Sequence, residues 1–367
     1  MPSLTHETYR GLTYPWGRDD PPKPTEPFEV ADGVWWVRFP MPMSLDHINI
    51  WLLEDGDGWT VVDTSLALDD SKHIWETLFG EFMGGKPLNR VICTHMHPDH
   101  IGLAGWLCRH FNCDLWMTRE EYMMCQLMAS YTGKEVPPEA TNFYRAAGYT
   151  YDQINDYKNR FGGFGSMISP MPHKFRRIVD RETLTIGERY WQVIVGAGHS
   201  PEHACLYCPA LKLIITGDQI LPRITSNVSV FPTEPEGNPL AEWMDSNARL
   251  LSILPNDLLV LPAHQAPFTG LHVRINQIID GHRVDLQSVY EFLDTPKRVV
   301  DCFPSLFKRE ISAELLGLAT GETLANLNLL VHRGNASREQ DAAGVNWYLQ
   351  NPDARFIDTD DHTPTAT

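Results

Sequence analysis

The run Thr94-His95-Met96-His97-Pro98-Asp99-His100 places three imidazoles and a carboxylate within six residues. Four such groups at this density are poor core material, because each would need its own polar partner once buried. The run follows the apolar strand-like segment Arg90 to Cys93 and precedes Ile101 to Phe111, whose apolar residues recur with the period of an amphipathic helix. The cluster is therefore expected on a loop between a strand end and a helix start, where a sheet can fix its direction. On such a loop His95 and His97 can point the same way while Asp99 and His100 diverge toward a second position. Imidazole nitrogens suit zinc, iron and nickel, and a carboxylate among them favours a catalytic centre over a closed thiolate site.

Three more metal-competent side chains stand at the ends of apolar runs. His199 follows Val193-Ile194-Val195-Gly196-Ala197-Gly198, Asp218 follows Leu213-Ile214-Ile215-Thr216-Gly217, and His264 follows Leu259-Val260-Leu261-Pro262-Ala263. Around them the chain alternates strand and helix signals. Phe28 to Pro40 reads as a strand, and His47 to Leu53 with Trp59 to Val62 reads as a hairpin around Glu54-Asp55-Gly56-Asp57-Gly58. Leu66 to Phe82 has helical spacing and Asp114 to Met117 reads as a strand. Strand signals return at Trp191 to Val195, Ala204 to Tyr207, Leu211 to Thr216 and Leu258 to Leu261, with helices at Pro239 to Leu254 and His272 to Leu293. This pattern argues for sheets covered by helices.

Two segments depart from that alternation. Glu120 to about Arg177 is rich in Met and Tyr and reads as an insertion of two or three helices, broken at Phe161-Gly162-Gly163-Phe164-Gly165. It is either a packing subdomain or a lid, in which Tyr144, Tyr149, Tyr151 and Tyr157 would line an apolar wall. From Pro296, three short helices are expected at Pro304 to Lys308, Ser312 to Leu318 and Gly321 to Arg333. A two-stranded wing follows, Ser337 to Gln340 and Val345 to Leu349 around Asp341-Ala342-Ala343-Gly344. The expected organisation is an N-terminal arm (1–27), a catalytic domain (28–290, insertion about 120–177), a winged-helix-like domain (291–352) and a flexible acidic tail (353–367).

The order H-x-H-x-D-H, then Gly-His, then Gly-Asp, then a late His resembles the metallo-β-lactamase superfamily from about Phe28 to Arg283. Asp218-Gln219-Ile220-Leu221-Pro222-Arg223 and Asn227-Val228-Ser229 are similar to the subgroup that carries a C-terminal winged helix. The resemblance implies an α/β fold, an αββα sandwich with the site at one edge. It also implies that His95, His97 and His199 hold one metal and Asp99, His100 and His264 a second, with Asp218 bridging. Two divalent ions are expected, zinc foremost, with iron or manganese accepted by the same ligands. Asp99 and Asp218 would be the catalytic carboxylates. Two such ions lower the pKa of a shared water, giving a bridging hydroxide for attack on a carbonyl or phosphorus, while Asp99 could carry the proton to the leaving group.

Four residues are weaker candidates. Asp63, ending Val61-Val62-Asp63-Thr64, could orient a ligand imidazole or cap a turn. His203, in His199-Ser200-Pro201-Glu202-His203, is a supporting residue by the same resemblance. His47 could face the site. Arg223 could bind a substrate carboxylate or phosphate, or form a structural salt bridge.

Charge narrows the partners. Lys plus Arg total 30 against 47 for Asp plus Glu, a formal charge of −17, which repels polyanions. The best recognition-helix candidate, Glu322 to Arg333, starts acidic and is mostly apolar, so packing against the catalytic domain or a homodimer partner is expected over DNA binding. Seven cysteines in largely apolar surroundings read as reduced thiols of a cytoplasmic protein, and Cys205 and Cys208 fall on opposite faces of a strand. No run of about 18 apolar residues suggests a membrane span. The expected activity is hydrolysis of a small ester-like substrate: a thioester, a lactone or an activated ester. The alternatives are a phosphodiesterase or endoribonuclease, a mononuclear iron enzyme acting on persulfides, and a metal-sensing winged-helix interaction protein.

Overall fold

A computed structural model describes residues 6–354. After a short hairpin, β1 (Glu7–Tyr9) and β2 (Leu12–Tyr14), a seven-stranded sheet runs in sequence order. Its strands are β3 (Phe28–Ala31), β4 (Val34–Pro40), β5 (His47–Asp55), β6 (Gly58–Val62), β7 (Leu88–Ile92), β8 (Asp114–Met117) and β9 (Arg176–Arg177). Pairing is antiparallel from β3 to β6 and parallel from β6 to β9. The parallel part is crossed by α1 (Asp69–Thr77), α2 (Pro98–Ile101) and α3 (Ala104–Phe111), followed by α4 (Arg119–Ser130), α5 (Pro138–Ala146) and α6 (Tyr151–Arg160). β6 is buried along its whole length, as expected for a strand covered on both faces.

A second sheet holds β10 (Thr183–Ile186), β11 (Arg189–Gly196), β12 (His203–Cys208), β13 (Leu213–Gly217) and β14 (Leu259–Pro262), antiparallel except for the parallel pair β13–β14. The sheets are joined at the ends that carry the candidate ligands. Asn49 N donates to Ala263 O at 2.6 Å and Ala204 N to Thr94 O at 2.8 Å. The remaining elements are α7 (Pro239–Ile253), α8 (Leu271–Phe292), α9 (Phe303–Leu306), α10 (Leu316–His332) and the hairpin β15 (Ala336–Gln340) with β16 (Asn346–Gln350).

The segmentation differs from the sequence expectation in places with clear causes. Phe28 to Pro40 is two strands, because Asp32-Gly33 turns the chain with Gly33 at φ 70°. The helix expected over Leu66 to Phe82 ends at Thr77 in a π turn, Leu78–Phe82. Ile101 to Phe111 is interrupted at Gly102-Leu103, and its first turn starts inside the histidine run at Pro98, which suits a first helical position. Of the second expected C-terminal helix, Ser312 to Leu318, only Leu316 to Leu318 is helical, and it continues without a break through the third as α10. Gly321, expected to open the third helix, lies inside α10, and a Cβ there would stand 2.5 Å from Ser229 Oγ.

The chain divides into two compact units. The first is Met1–Lys134, Gly162–Ser226 and Arg249–Ile275, containing both large sheets and every candidate ligand; the second is Glu135–Phe161, Asn227–Ala248 and Asn276–Thr367. In the second unit Tyr144 packs on Tyr149 and Tyr157, with ring centroids 4.9 and 4.3 Å away, and the Tyr149 hydroxyl lies 2.9 Å from Thr320 Oγ1. Tyr151 is exposed. All seven cysteines are free. Among the described residues no helix is long and apolar enough to cross a membrane. The acidic tail expected from Asp353 onward lies outside the described residues after Ala354.

Glu322 on α10 yields a test of the second unit. Burial pushes its carboxyl up to about 7; a hydrogen bond with Asn227 opposes the shift and the Asp285 charge adds to it. A carboxyl raised above its unfolded value favours folding while protonated, so its contribution is present below about pH 4.5 and lost as pH rises through about 7. The loss is up to about 3 kcal/mol. Glu322→Gln is expected to flatten the fall of melting temperature between pH 5 and 8; an unchanged slope would place the titration elsewhere.

Candidate metal centre

The candidate ligands lie at the joined ends of the two sheets. His95, His97, His199, Asp218 and His264 are on loops, whereas Asp99 and His100, expected on the same loop as His95 and His97, sit in α2. The ligands fall into two groups. His95, His97, His199 and Asp218 form one, and Asp99, His100 and His264 the other; within each group the ligand atoms lie within 4.8 Å of one another. In the first, His95 Nε2 is 2.9 Å from His97 Nδ1 and 3.3 Å from His199 Nε2, and His199 Nε2 is 3.4 Å from Asp218 Oδ2. In the second, Asp99 Oδ2 lies 3.4 Å from His264 Nε2 and 3.6 Å from His100 Nε2. Asp218 Oδ1 faces this second group, 3.2 Å from His264 Nε2 and 3.5 Å from His100 Nε2. Asp218 thus presents one oxygen to each group.

Whether a metal fits can be judged from the buried atoms. His100 Nε2, His264 Nε2 and Asp218 Oδ1 are buried without a well-directed hydrogen bond, although buried polar atoms nearly always have one. Imidazole nitrogens facing one another, together with orphaned carboxylate oxygen, are the donor set a divalent cation satisfies. The electrostatics agree. Burial, then the neighbouring imidazoles, holds His95 well below its usual range; burial and His199 hold His97 down to about 3, so both are neutral as ligands must be. In the second group burial opposes charge, yet Asp99, Asp63 and Asp218 outweigh it and hold His100 well above its usual value. His264 is likewise raised to about 10, against burial, chiefly by Asp218. The carboxylates thus focus negative potential where the ligand atoms meet, which is also where a dication is best placed.

A surrounding layer fixes which nitrogen each imidazole offers. Asp63 Oδ2 accepts from His100 Nδ1 at 2.8 Å, and its carboxylate also takes the Thr94 N–H (2.8 Å) and the Thr94 hydroxyl (2.9 Å). Thr94 Oγ1 in turn lies 3.1 Å from His95 Nδ1. The His47 carbonyl accepts from His264 Nδ1 at 2.7 Å. His203 Nε2 accepts the backbone N–H of Asp218 at 3.0 Å. Three of the four weaker candidates are therefore brought to the centre: Asp63, His47 and His203 contact ligands or their backbone. Arg223 pairs with Asp19 at 3.2 Å and touches no ligand atom.

Glu121 and Gln265 had no distinguishing signal in sequence. Buried Glu121 accepts from Met96 N and Glu202 N, both at 2.9 Å, tying the loop after β7 to the loop before β12. Gln265 gathers His47, Asn49, Arg38 and Arg223 beside His264. Gly217 carries a backbone requirement. Its φ is 49°, and a Cβ would stand 2.6 Å from His203 Nε2 and 3.0 Å from Thr94 Oγ1. Gly217→Ala is expected to lower stability by about 1–3 kcal/mol and to weaken metal retention, read by thermal melting and elemental analysis of one preparation.

Comparison with known proteins places this arrangement. Residues 43–264 match the metallo-beta-lactamase superfamily, and residues 286–351 match the metallo-beta-lactamase-like C-terminal domain. The fold is similar to that of a beta-lactamase domain protein from Burkholderia ambifaria, with a TM-score of 0.86 and 39% identity over 93% of this chain and 98% of that one. A metallo-beta-lactamase family protein from Thermus thermophilus has a TM-score of 0.71 at 23% identity, covering 87% and 99%. In sequence the chain is 22% identical over 317 residues to the probable metallo-hydrolase YqjP of Bacillus subtilis, covering 82% of this chain and 93% of that one. It is 23% identical over 242 residues to the acyl-coenzyme A thioesterase MBLAC2 of Gallus gallus, covering 64% and 78%. With the first match spanning more than half of the chain, and a solved relative spanning nearly all of it, the protein belongs to the metallo-β-lactamase superfamily.

Proposed function

We propose that this protein hydrolyses a small ester-like substrate (a thioester, a lactone or an activated ester) using two divalent ions, zinc foremost. The observation that carries the reading is the split of Asp218, with Oδ2 toward His199 and Oδ1 toward His100 and His264. A carboxylate between two complete ligand groups suits a pair of ions better than one. His95, His97 and His199 would hold the first ion, Asp99, His100 and His264 the second, with Asp218 bridging. Bound there, the ions supply Lewis acidity and a water of lowered pKa. Asp63, Thr94 and the His47 carbonyl hold His100, His95 and His264 in one orientation, so the centre is preorganised. Asp99, the more exposed of the two candidate ligand carboxylates with its side chain 18% exposed, would pass a proton to the leaving group.

The thioester member of this class draws support from the similarity to an acyl-coenzyme A thioesterase. The net charge of −17 weighs against a polyanionic substrate. A mononuclear iron centre would leave one of the two groups without a role.

Metal content by mass spectrometry, combined with turnover of an acyl-CoA thioester, a homoserine lactone, an aryl ester and bis-p-nitrophenyl phosphate, tests the reading. About two ions per chain with turnover of a carbonyl substrate is the expected result. One iron with no hydrolysis, or turnover of the phosphodiester alone, would overturn it.

A further inference from the structure

Gln265, next to His264, sits in the left-handed backbone region at φ 71°, a conformation uncommon for a residue with a side chain and often found at functional sites. Its N–H donates to His47 Nε2 at 2.7 Å, and its carbonyl accepts from Asn49 Nδ2 at 2.7 Å and from Arg38 Nη2. Its side-chain Oε1 accepts the backbone N–H of Arg223 at 2.9 Å. The Arg38 guanidinium and the Arg223 backbone are thereby anchored on the residue adjoining a candidate metal ligand.

Arg38 has only neutral partners. Nε donates to Asn49 Oδ1 at 3.0 Å, Nη2 to the Gln265 carbonyl, and the guanidinium lies 5.1 Å from the Trp36 ring centroid. Among the described residues no carboxylate pairs with it, and Nη1 has no protein acceptor. Burial pushes its pKa down to about 10; Asp46 opposes that shift and the Arg223 charge adds to it. The nearby acids are engaged elsewhere and well exposed. Asp46 bonds His47 with its side chain 81% exposed, and Asp19 pairs with Arg223 with its side chain 72% exposed. Exposed acids of this kind compensate a cation weakly. A partly buried guanidinium without a close counter-ion is costly to keep, and an arriving anion relieves that cost.

We propose that Arg38 and Arg223 form an anion subsite beside His264, so that the substrate is an ester carrying a second, negatively charged group. This rests on the ester-hydrolase reading and narrows it. The anion can sit on the acyl side, as a carboxylate, or on the leaving group, as a phosphate. A guanidinium recognises both through paired N–H donors.

Two matched pairs test this on the metal-loaded protein. The acyl-side pair is mono-p-nitrophenyl glutarate against p-nitrophenyl butyrate. The leaving-group pair is butyryl-CoA against S-butyryl-N-acetylcysteamine. Wild type is expected to prefer the anionic member of one pair at least tenfold in kcat/KM, and Arg223→Met and Arg38→Met are each expected to cut that preference about tenfold. Arg38→Lys returns the charge and should restore part of it. A preference near one in both pairs, or one that neither variant moves, overturns the subsite; a purely structural role for Arg38 predicts equal losses for both members. Arg38→Met could fail to fold through its anchor on Gln265, whereas Arg223→Met disturbs only a surface pair and keeps the test open. If no substrate is turned over, the ester reading fails and titration with inorganic sulfate decides the subsite separately. Binding weakened about tenfold in Arg223→Met supports it, and absent or unaltered binding overturns it.

Discussion

Asp218→Ala is expected to reduce the bound metal from about two ions to one or fewer, and to lower kcat/KM by about a thousandfold or more. Asp218 alone contributes to both ligand groups, through Oδ2 at 3.4 Å from His199 Nε2 and Oδ1 at 3.2 Å from His264 Nε2. Its removal leaves three imidazoles on one side, and two imidazoles with Asp99 on the other, without the charge that links them. A thousandfold loss corresponds to about 4 kcal/mol of transition-state stabilisation, a reasonable size for losing both an ion and the placement of its neighbour. The backbone at this position is held independently, by His203 Nε2 on the Asp218 N–H and by Ser226 Oγ on the Asp218 carbonyl. The variant is therefore expected to fold, and its loss to be chemical. Elemental analysis and steady-state kinetics on the same preparation decide it. Two ions retained, with turnover within tenfold of wild type, would remove Asp218 from the centre and the dinuclear reading with it.

The candidate ligands stood out in the sequence because no ordinary packing role accounts for them. Each of His95, His199, Asp218 and His264 ends an apolar strand, where a core residue or a turn-former is the usual choice. Of the residues that hold them, Asp63, His47 and His203 stood out as weaker candidates, and the rest were not legible. Glu121 is one of two adjacent acids at the start of a helix, and only the folded chain brings it to Met96 and Glu202. Gln265 and Arg38 are single polar residues 227 positions apart, and their bond depends on the junction between the two sheets. Short elements escaped for a related reason. β10, Thr-Leu-Thr-Ile, and the hairpin β1–β2 draw their definition from pairing with neighbours, not from strong periodicity of their own. Gly321, expected at a helix start, lies inside α10, where a Cβ would stand 2.5 Å from Ser229 Oγ, a close approach that local sequence does not reveal.

Asp63 offers the sharpest separation of support from coordination. Its carboxylate accepts three buried donors: the Thr94 N–H, the Thr94 hydroxyl and His100 Nδ1–H. Asp63→Ala strands all three and is expected to cost about 3 kcal/mol or more of stability, at about 1–3 kcal/mol for each unsatisfied buried group. Asp63→Asn asks a finer question. Asp63 sits at φ 65°, a region Asn tolerates nearly as well, so the backbone is undisturbed. The Asn rotamer that keeps an oxygen on the Thr94 N–H turns its amide NH2 toward His100 Nδ1. That nitrogen must then accept, which drives the imidazole proton to Nε2, the atom facing Asp99 and Asp218. Stability should change by about 1 kcal/mol, while affinity for the second ion falls about 10–100-fold, as is common when the partner orienting a ligand is lost. Competitive chelator titration read beside thermal melting separates the two effects. An Asp63→Asn protein that melts near wild type and binds both ions as tightly would show that His100 is positioned by its packing alone. Loss of the second ion without loss of the fold would assign that task to the Asp63 carboxylate.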